Sequence, residues 1–332
     1  YLKAPELFLA GRYMELDYAT RRNLELTESL RTGEKRGSLL WVLDKTRTPM
    51  GSRTLRAWLE RPLLHPEPIR YRNQAVGELC NDSMLRDELM HELRNVGDFQ
   101  RIIGRIVFGT ANARDLAALG NYCEVLPKLT ALVQNCTAPA LQKIAKLDVL
   151  EDVARVIRET ICEEPPLSVR EGGMIRAGFS EELDRLRDIR DHGTDNILAM
   201  EQRERERTGI KKLKIGYNKV FGYYIDVPKS AGETNIPADY IRKQTLVNNE
   251  RYFTQELKEL ENNLLTARDR IQDMEYRFFT QVREQVAGQV DRVQQTGEDI
   301  GMLDVLCALA DVAARNGYVC PEVNNEHTIY IE

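Results

Sequence analysis

The 332-residue chain carries 52 acidic against 47 Lys and Arg residues, a formal net charge of −5, with 30% charged and 42% hydrophobic residues. That is enough chain for two domains and a sizeable core, in a composition that fits a soluble, helix-rich protein. No run of 18 apolar residues offers a membrane-spanning helix. The first residues lack the pattern of a secretory signal, and the six scattered cysteines, without a CxxC, read as reduced thiols of a cytosolic protein.

Residues 17–26 read as a helix start followed by an apolar run. Leu39, Leu40, Val42 and Leu43 then form an apolar face. Thr48-Pro49 marks a boundary, because the residue before a proline disfavours helix. Ser52 is expected to cap a helix with Leu55, Leu59 and Trp58 on one face and Pro62 at its end. Helical patterns follow over 66–95, 111–134 and 138–160, with Phe99, Ile102, Ile103 and Ile106 on one side of the segment between the first two. Glu163-Glu164-Pro165-Pro166 and Gly172-Gly173 break the chain. A last amphipathic helix is expected over Ile300–Arg315, after a break at Gly297. The closing TIYIE reads as a strand. With no initial Met, the chain is expected to be a fragment.

Residues 177–290 have the most informative layout: an amphipathic arm, a small basic β insertion, and a second arm. The return arm places Leu257, Leu260, Leu264, Ala267, Ile271, Met274, Phe278, Val282 and Val286 at coiled-coil spacing. The outgoing arm carries Phe179, Leu183, Leu186, Ile197 and Met200, interrupted by Gly193. A helix that long, at about 1.5 Å per residue, would hold the insertion far from the body. Between 211 and 249 stand seven basic residues, Lys211, Lys212, Lys214, Lys219, Lys229, Arg242 and Lys243. The acids there are Asp226, Glu233 and Asp239. The tip is therefore +4 and the remainder −9. It is either a site for a polyanion or a solvated basic loop. LKIGYNKVFGYYIDV predicts a hairpin: Leu213, Ile215 and Tyr217 alternate, Asn218 and Lys219 turn, and Tyr223, Ile225 and Val227 alternate again. Pro228 stops the second strand. A third strand is expected near Gln244–Asn248.

Enzyme signatures are missing. There is no GxxxxGK[ST] to cradle a triphosphate and no GxSxG or Cys–His arrangement. His65, His91, His192 and His327 have no metal-ligand spacing. No catalytic, cofactor-binding or metal-ligating residue is assigned.

The segments LDYATRRNLEL (16–26), LLWVLDKTRTPMGSRTLRAWLERPL (39–63), VGDFQRIIGRI (96–106), ARDLAALG (113–120) and DVLCALADVAARNGYVCPEV (304–323) resemble the core of the MutS family of DNA mismatch repair proteins. RERTGIKKLKIGYNKVFGYYIDV (205–227) and YIRKQTLVNNERYFTQELKELE (240–261) resemble that family's clamp. The resemblance covers essentially the whole chain. It implies a mainly α fold. A helical lever domain, residues 1–205 and 255–332, would have two coiled-coil-like arms carrying a small antiparallel β clamp, residues 206–254. By resemblance the clamp holds duplex DNA by its backbone and the lever relays its state. The chain is then no enzyme, and ATP and Mg would belong to a separate ATPase domain of the parent protein. The implied partners are duplex DNA, a second copy of the parent protein and a MutL-type repair protein, and the implied place is the bacterial cytosol, with the nucleoid.

Carried over by position, the DNA-backbone contacts fall on Asn218, Lys219, Arg242, Lys243, Gln244, Thr245 and Asn248. Cations, amides and a hydroxyl suit phosphate oxygens without reading bases. Lys214 and Lys229 are flanking candidates. Val247 departs from the family, which often has a lysine there, and this weakens the expected grip. Tyr217, Tyr223 and Tyr224 would either stack on nucleic acid or pack within the sheet. Two other readings stay open: a coiled-coil scaffold whose basic tip meets an acidic protein, and a MutS-like recombination protein.

Overall fold

The computed structural model describes residues 11–169, 171–218, 220, 222–231, 236–326 and 328–331. Lys219, Glu233, His327, residues 1–10 and residue 332 lie outside the described residues. The helices are α1 (Tyr18–Asn23), α2 (Leu39–Leu43), α3 (Pro49–Glu60), α4 (Pro66–Asn81), α5 (Ser83–Leu93), α6 (Phe99–Val107), α7 (Ala113–Cys123), α8 (Leu126–Leu132), α9 (Pro139–Ile144), α10 (Glu151–Thr160), α11 (Glu181–Thr208), α12 (Gln255–Ala287) and α13 (Val290–Asn316). The strands are β1 (Lys214–Asn218), β2 (Gly222–Pro228), β3 (Ile241–Thr245) and β4 (Asn249–Phe253). The chain is thus mainly α with one small antiparallel sheet, as the sequence leads one to expect. It divides into two compact units, one formed by residues up to 167 together with 281 onward, the other by 168–280.

The first unit is built around α13, whose Ile300, Leu303, Val305, Leu306 and Cys307 are fully buried. It packs against α3, α4, α5 and α6. Gly297 does not break this helix. It lies within it, and a Cβ there would stand 3.2 Å from Met50 Sδ and 3.3 Å from Phe99 Cβ. The glycine is needed for close approach between elements, and the real break falls at Gly288-Gln289, between α12 and α13.

Thr48, not Ser52, caps α3. Its side-chain oxygen accepts the Gly51 N–H (2.9 Å), and Pro49 occupies the first helical position, where no N–H is needed. Ser52 sits inside the helix and donates to Asp44 (2.8 Å). Buried Asp304 of α13 fixes the cap from the other side. It accepts the Thr48 N–H (2.7 Å), the Thr48 hydroxyl (2.7 Å) and the Arg47 N–H (2.9 Å). The long patterns of 66–95, 111–134 and 138–160 each divide in two, since caps compete with continuation. Asp82, for example, ends α4 and accepts the Leu85 N–H (2.9 Å) to start α5. Residues 328–331, read as part of a strand, are in no strand.

In the second unit α11 runs unbroken through Gly193. That residue is buried, and a Cβ on it would meet Leu264 Cδ2 at 2.0 Å, so glycine here lets the two arms touch rather than interrupting one of them. Arg270 pairs with Glu182 and Arg203 with Glu256, both at 2.6 Å. Phe179 meets Phe278 edge-on, with centroids 5.1 Å apart. Glu275, fully buried, joins α12 to α11 and to the loop before it: it accepts from Arg187 of α11 (2.7 Å) and from the Met174 N–H (2.9 Å). On the return arm Leu257, Ala267, Ile271 and Met274 are buried and Leu260, Leu264 and Phe278 half-buried, while Val282 and Val286, also buried, belong to the first unit. The apolar stripe therefore faces inward over 257–278.

The sheet order is β1-β2-β4-β3, all antiparallel. Pro228 ends β2. The strand expected over Gln244–Asn248 is instead the end of β3 and a turn at 246–248. The next residues, Asn249–Phe253, form a fourth strand. That strand forms a local hairpin with β3 and pairs non-locally with β2, a match that local pattern does not announce. Leu213, Ile225, Val227, Tyr240 and Tyr252 pack with Met200 of α11 and Leu257 of α12 into one apolar cluster.

Candidate nucleic-acid interface

Register decides which polar side chains stand together. Pro228 pairs with Asn249, and the Lys229 N–H donates to the Asn248 carbonyl (3.0 Å), so Lys229 lies beside the β3–β4 turn. Lys214 pairs with Asp226, near the same end of the sheet. Thr245, Val247 and Asn248 are exposed in and beside that turn, Val247 at 90%. Gln244, Arg242 and Lys243 follow back along β3, an edge strand.

Arg242 and Lys243 are not equivalent. The β3–β4 register shifts between Arg242 and Gln244, leaving Lys243 in a bulge. Arg242 pairs with Glu250 of β4 at 3.1 Å, and its guanidinium lies 5.9 Å from the Tyr252 ring centre. Glu250 also accepts the Tyr252 hydroxyl, and burial together with this carboxylate pushes the phenol's pKa up. Lys243 Nζ stands 5.3 Å from the centre of Phe253. The Gln244 side-chain carbonyl accepts from Arg251 Nη1 at 3.0 Å, and Arg251 lies 4.1 Å over Tyr224.

Asn218 is elsewhere. It closes β1 opposite Gly222, at the other end of the sheet and on its other edge, and its side-chain oxygen accepts the Val220 N–H (2.8 Å). Thus the structure gathers Arg242, Lys243, Gln244, Thr245 and Asn248 on one hairpin and does not bring Asn218 to them. Tyr217 and Tyr223 pack on each other, centroids 4.9 Å apart. Tyr224 lies across Gly216, where a Cβ would meet its ring at 2.8 Å. Sequence reasoning missed Glu250, the carboxylate that shares Arg242. The alternation of Glu250 and Tyr252 in NERYF was the available signal, hidden because that segment runs straight into a strong helix.

A family model described as MutS domain III matches residues 19–310. The chain belongs to the MutS domain III family. It is 47% identical over 321 residues to the DNA mismatch repair protein MutS of Acetivibrio thermocellus, covering 96% of this chain and 37% of that protein. It is 47% identical over 327 residues to the protein of the same name from Symbiobacterium thermophilum, covering 98% and 37%. The DNA mismatch repair protein MutS of Methanosarcina mazei is 47% identical over 324 residues, covering 96% and 36%. The chain therefore spans a little over a third of the length of these relatives. Among the described residues no helix is long and apolar enough to cross a membrane.

Proposed function

We propose that this chain is the lever and clamp of a DNA mismatch repair protein, with residues 206–254 holding duplex DNA by its phosphates. The observation that carries the reading is the β3–β4 hairpin. It sets Arg242, Lys243, Gln244, Thr245 and Asn248 on one exposed edge, with Lys229 beside the turn, in a MutS domain III chain. These groups donate to phosphate oxygens, and the Gln244 carbonyl, the acceptor a base edge would need, already accepts from Arg251 Nη1. Asn218, at the far end of the sheet, lies outside this contact.

The arms then serve as the relay between the clamp and an ATPase domain of the parent protein, where ATP and Mg act. A second copy of the parent and a MutL-type protein complete the assembly. The buried Glu275–Arg187 pair and the Gly193–Leu264 contact support this role, because they tie α11 to α12. The test is a titration of the chain with matched and mismatched duplexes of equal length. Equal, weak affinities support the clamp; a mismatch preference in this chain alone contradicts it.

A further inference from the structure

A hollow of about 440 Å³ lies within the second unit, apart from the β3–β4 hairpin. The β1–β2 hairpin contributes Tyr217 and Tyr223. Leu264 and Ile271 of α12 add apolar wall, and Arg190 of α11 and Arg268 of α12 add two guanidinium groups. The volume falls in the range of small-ligand sites, about 300–1,000 Å³. Its chemistry is divided: a tilted aromatic pair and aliphatic side chains offer flat apolar surface, and the two arginines offer positive charge. Glu171 lines the hollow too, and just outside it Asp191 pairs with Arg190 and Glu261 accepts the Tyr223 N–H (3.3 Å), so Arg268 is the cation without a carboxylate described beside it.

Arg190 is held in place before any ligand arrives. Its Nε and Nη2 donate to the two oxygens of neighbouring Asp191 at 2.8 and 3.1 Å, a fork that keeps the guanidinium charged and oriented. Arg268 is exposed. Tyr217 is 51% exposed and lies 4.9 Å, centroid to centroid, from Tyr223, so part of its ring is open to a planar group. A flat aromatic body would lie against tyrosine and leucine, and an anion attached to it would reach arginine.

We propose that this hollow binds a nucleobase bearing a phosphate. A free mononucleotide and a nucleotide of a single strand share that chemistry. Aromatic rings with flanking cations accept bases of any sequence, because every base has a π-face. An occupant would touch α11, α12 and the β1–β2 hairpin at once, and so would fix the sheet against the arms.

The test uses the whole chain with two probes, deoxyadenosine monophosphate and a short single strand with a 5′-phosphate, measured by calorimetry. Deoxyadenosine and inorganic phosphate serve as half-ligands. At least one probe is expected to saturate, each half-ligand binding roughly tenfold or more weakly. Arg268→Gln should weaken that probe by roughly tenfold and Tyr217→Ala by about fivefold or more. Tighter binding of the mononucleotide identifies a free nucleotide as the occupant, and tighter binding of the strand identifies a single strand. Duplex affinity should not respond to Arg268→Gln or Tyr217→Ala, which keeps this site separable from the clamp. No saturable binding of either probe, or binding that ignores both Arg268→Gln and Tyr217→Ala, overturns the proposal.

Discussion

Gly51→Ala should be among the most damaging single-methyl additions in this chain. A Cβ at position 51 would stand 2.2 Å from Asp304 Oδ2, 2.7 Å from its Cγ and 2.9 Å from its Cβ. Ordinary contact needs about 3.5 Å, so the carboxylate must retreat by more than about 1 Å. It has nowhere to go. Asp304 is fully buried, and its oxygens hold the Thr48 N–H, the Thr48 hydroxyl and the Arg47 N–H. Losing two of these bonds to a buried charge costs about 1.5–3 kcal/mol each. Alanine recovers about 1 kcal/mol of helix propensity. The net expectation is roughly 2–5 kcal/mol of lost stability, read from urea unfolding of the whole chain. Gly77→Ala is the control: Gly77 lies inside α4, and an added Cβ would have nothing within 4 Å, so alanine there should gain about 1 kcal/mol. If Gly51→Ala is neutral or stabilising like Gly77→Ala, Asp304 does not lock α3 to α13.

Three further outcomes follow from named contacts. Gly193→Ala should destabilise by about 1–2 kcal/mol through overpacking against Leu264, yet become stabilising by about 1 kcal/mol in a Leu264→Ala background; additive effects in unfolding would show that the arms do not touch there. Glu250→Gln should remove the carboxylate that competes with phosphate for Arg242, strengthening duplex binding roughly several-fold; an unchanged affinity would place Arg242 off the DNA. Arg292 holds Asp148 and Asp152 below the usual carboxylate range by hydrogen bonds at 2.7–3.1 Å. Carboxyls depressed in the folded state add stability above their unfolded pKa of about 3.9, and lose it as pH falls through the lower folded value. Arg292→Gln should therefore flatten the fall in melting temperature on acidification below that pH, and an acid limb identical to wild type would refute it.

What was legible in the sequence was periodic. The heptad-like spacing of Leu257 to Val286 located α12 because burial on one helical face is a local pattern. The hairpin LKIGYNKVFGYYIDV located β1 and β2 for the same reason. Glycine misled twice. Gly193 and Gly297 read as interruptions, yet both lie inside helices at close contacts, which depend on residues distant in sequence. Strand β4 was hidden because NERYF is continuous with TQELKELE, and only pairing with β2 and β3 makes it a strand. The same non-local pairing separates Asn218 from Arg242, so motif carry-over joined residues that the sheet holds at opposite ends. Glu250 as partner of Arg242 could not be read without the register.

The most direct test of the clamp is the salt dependence of duplex binding by the chain. Three phosphates neutralised by Arg242 and Lys243 of the β3–β4 hairpin and by Lys229 beside its turn predict a slope of log K against log salt of roughly −3, at about 0.9 per contact, with weak affinity near 10⁻⁴–10⁻⁶ M. Replacing Arg242 and Lys243 together by alanine should flatten that slope by about two and weaken all sequences alike, whereas replacing Lys45 and Arg47 should do much less. Binding that ignores salt, or that depends more on Lys45 and Arg47 than on Arg242 and Lys243, would contradict the assignment of the hairpin as the DNA-holding edge.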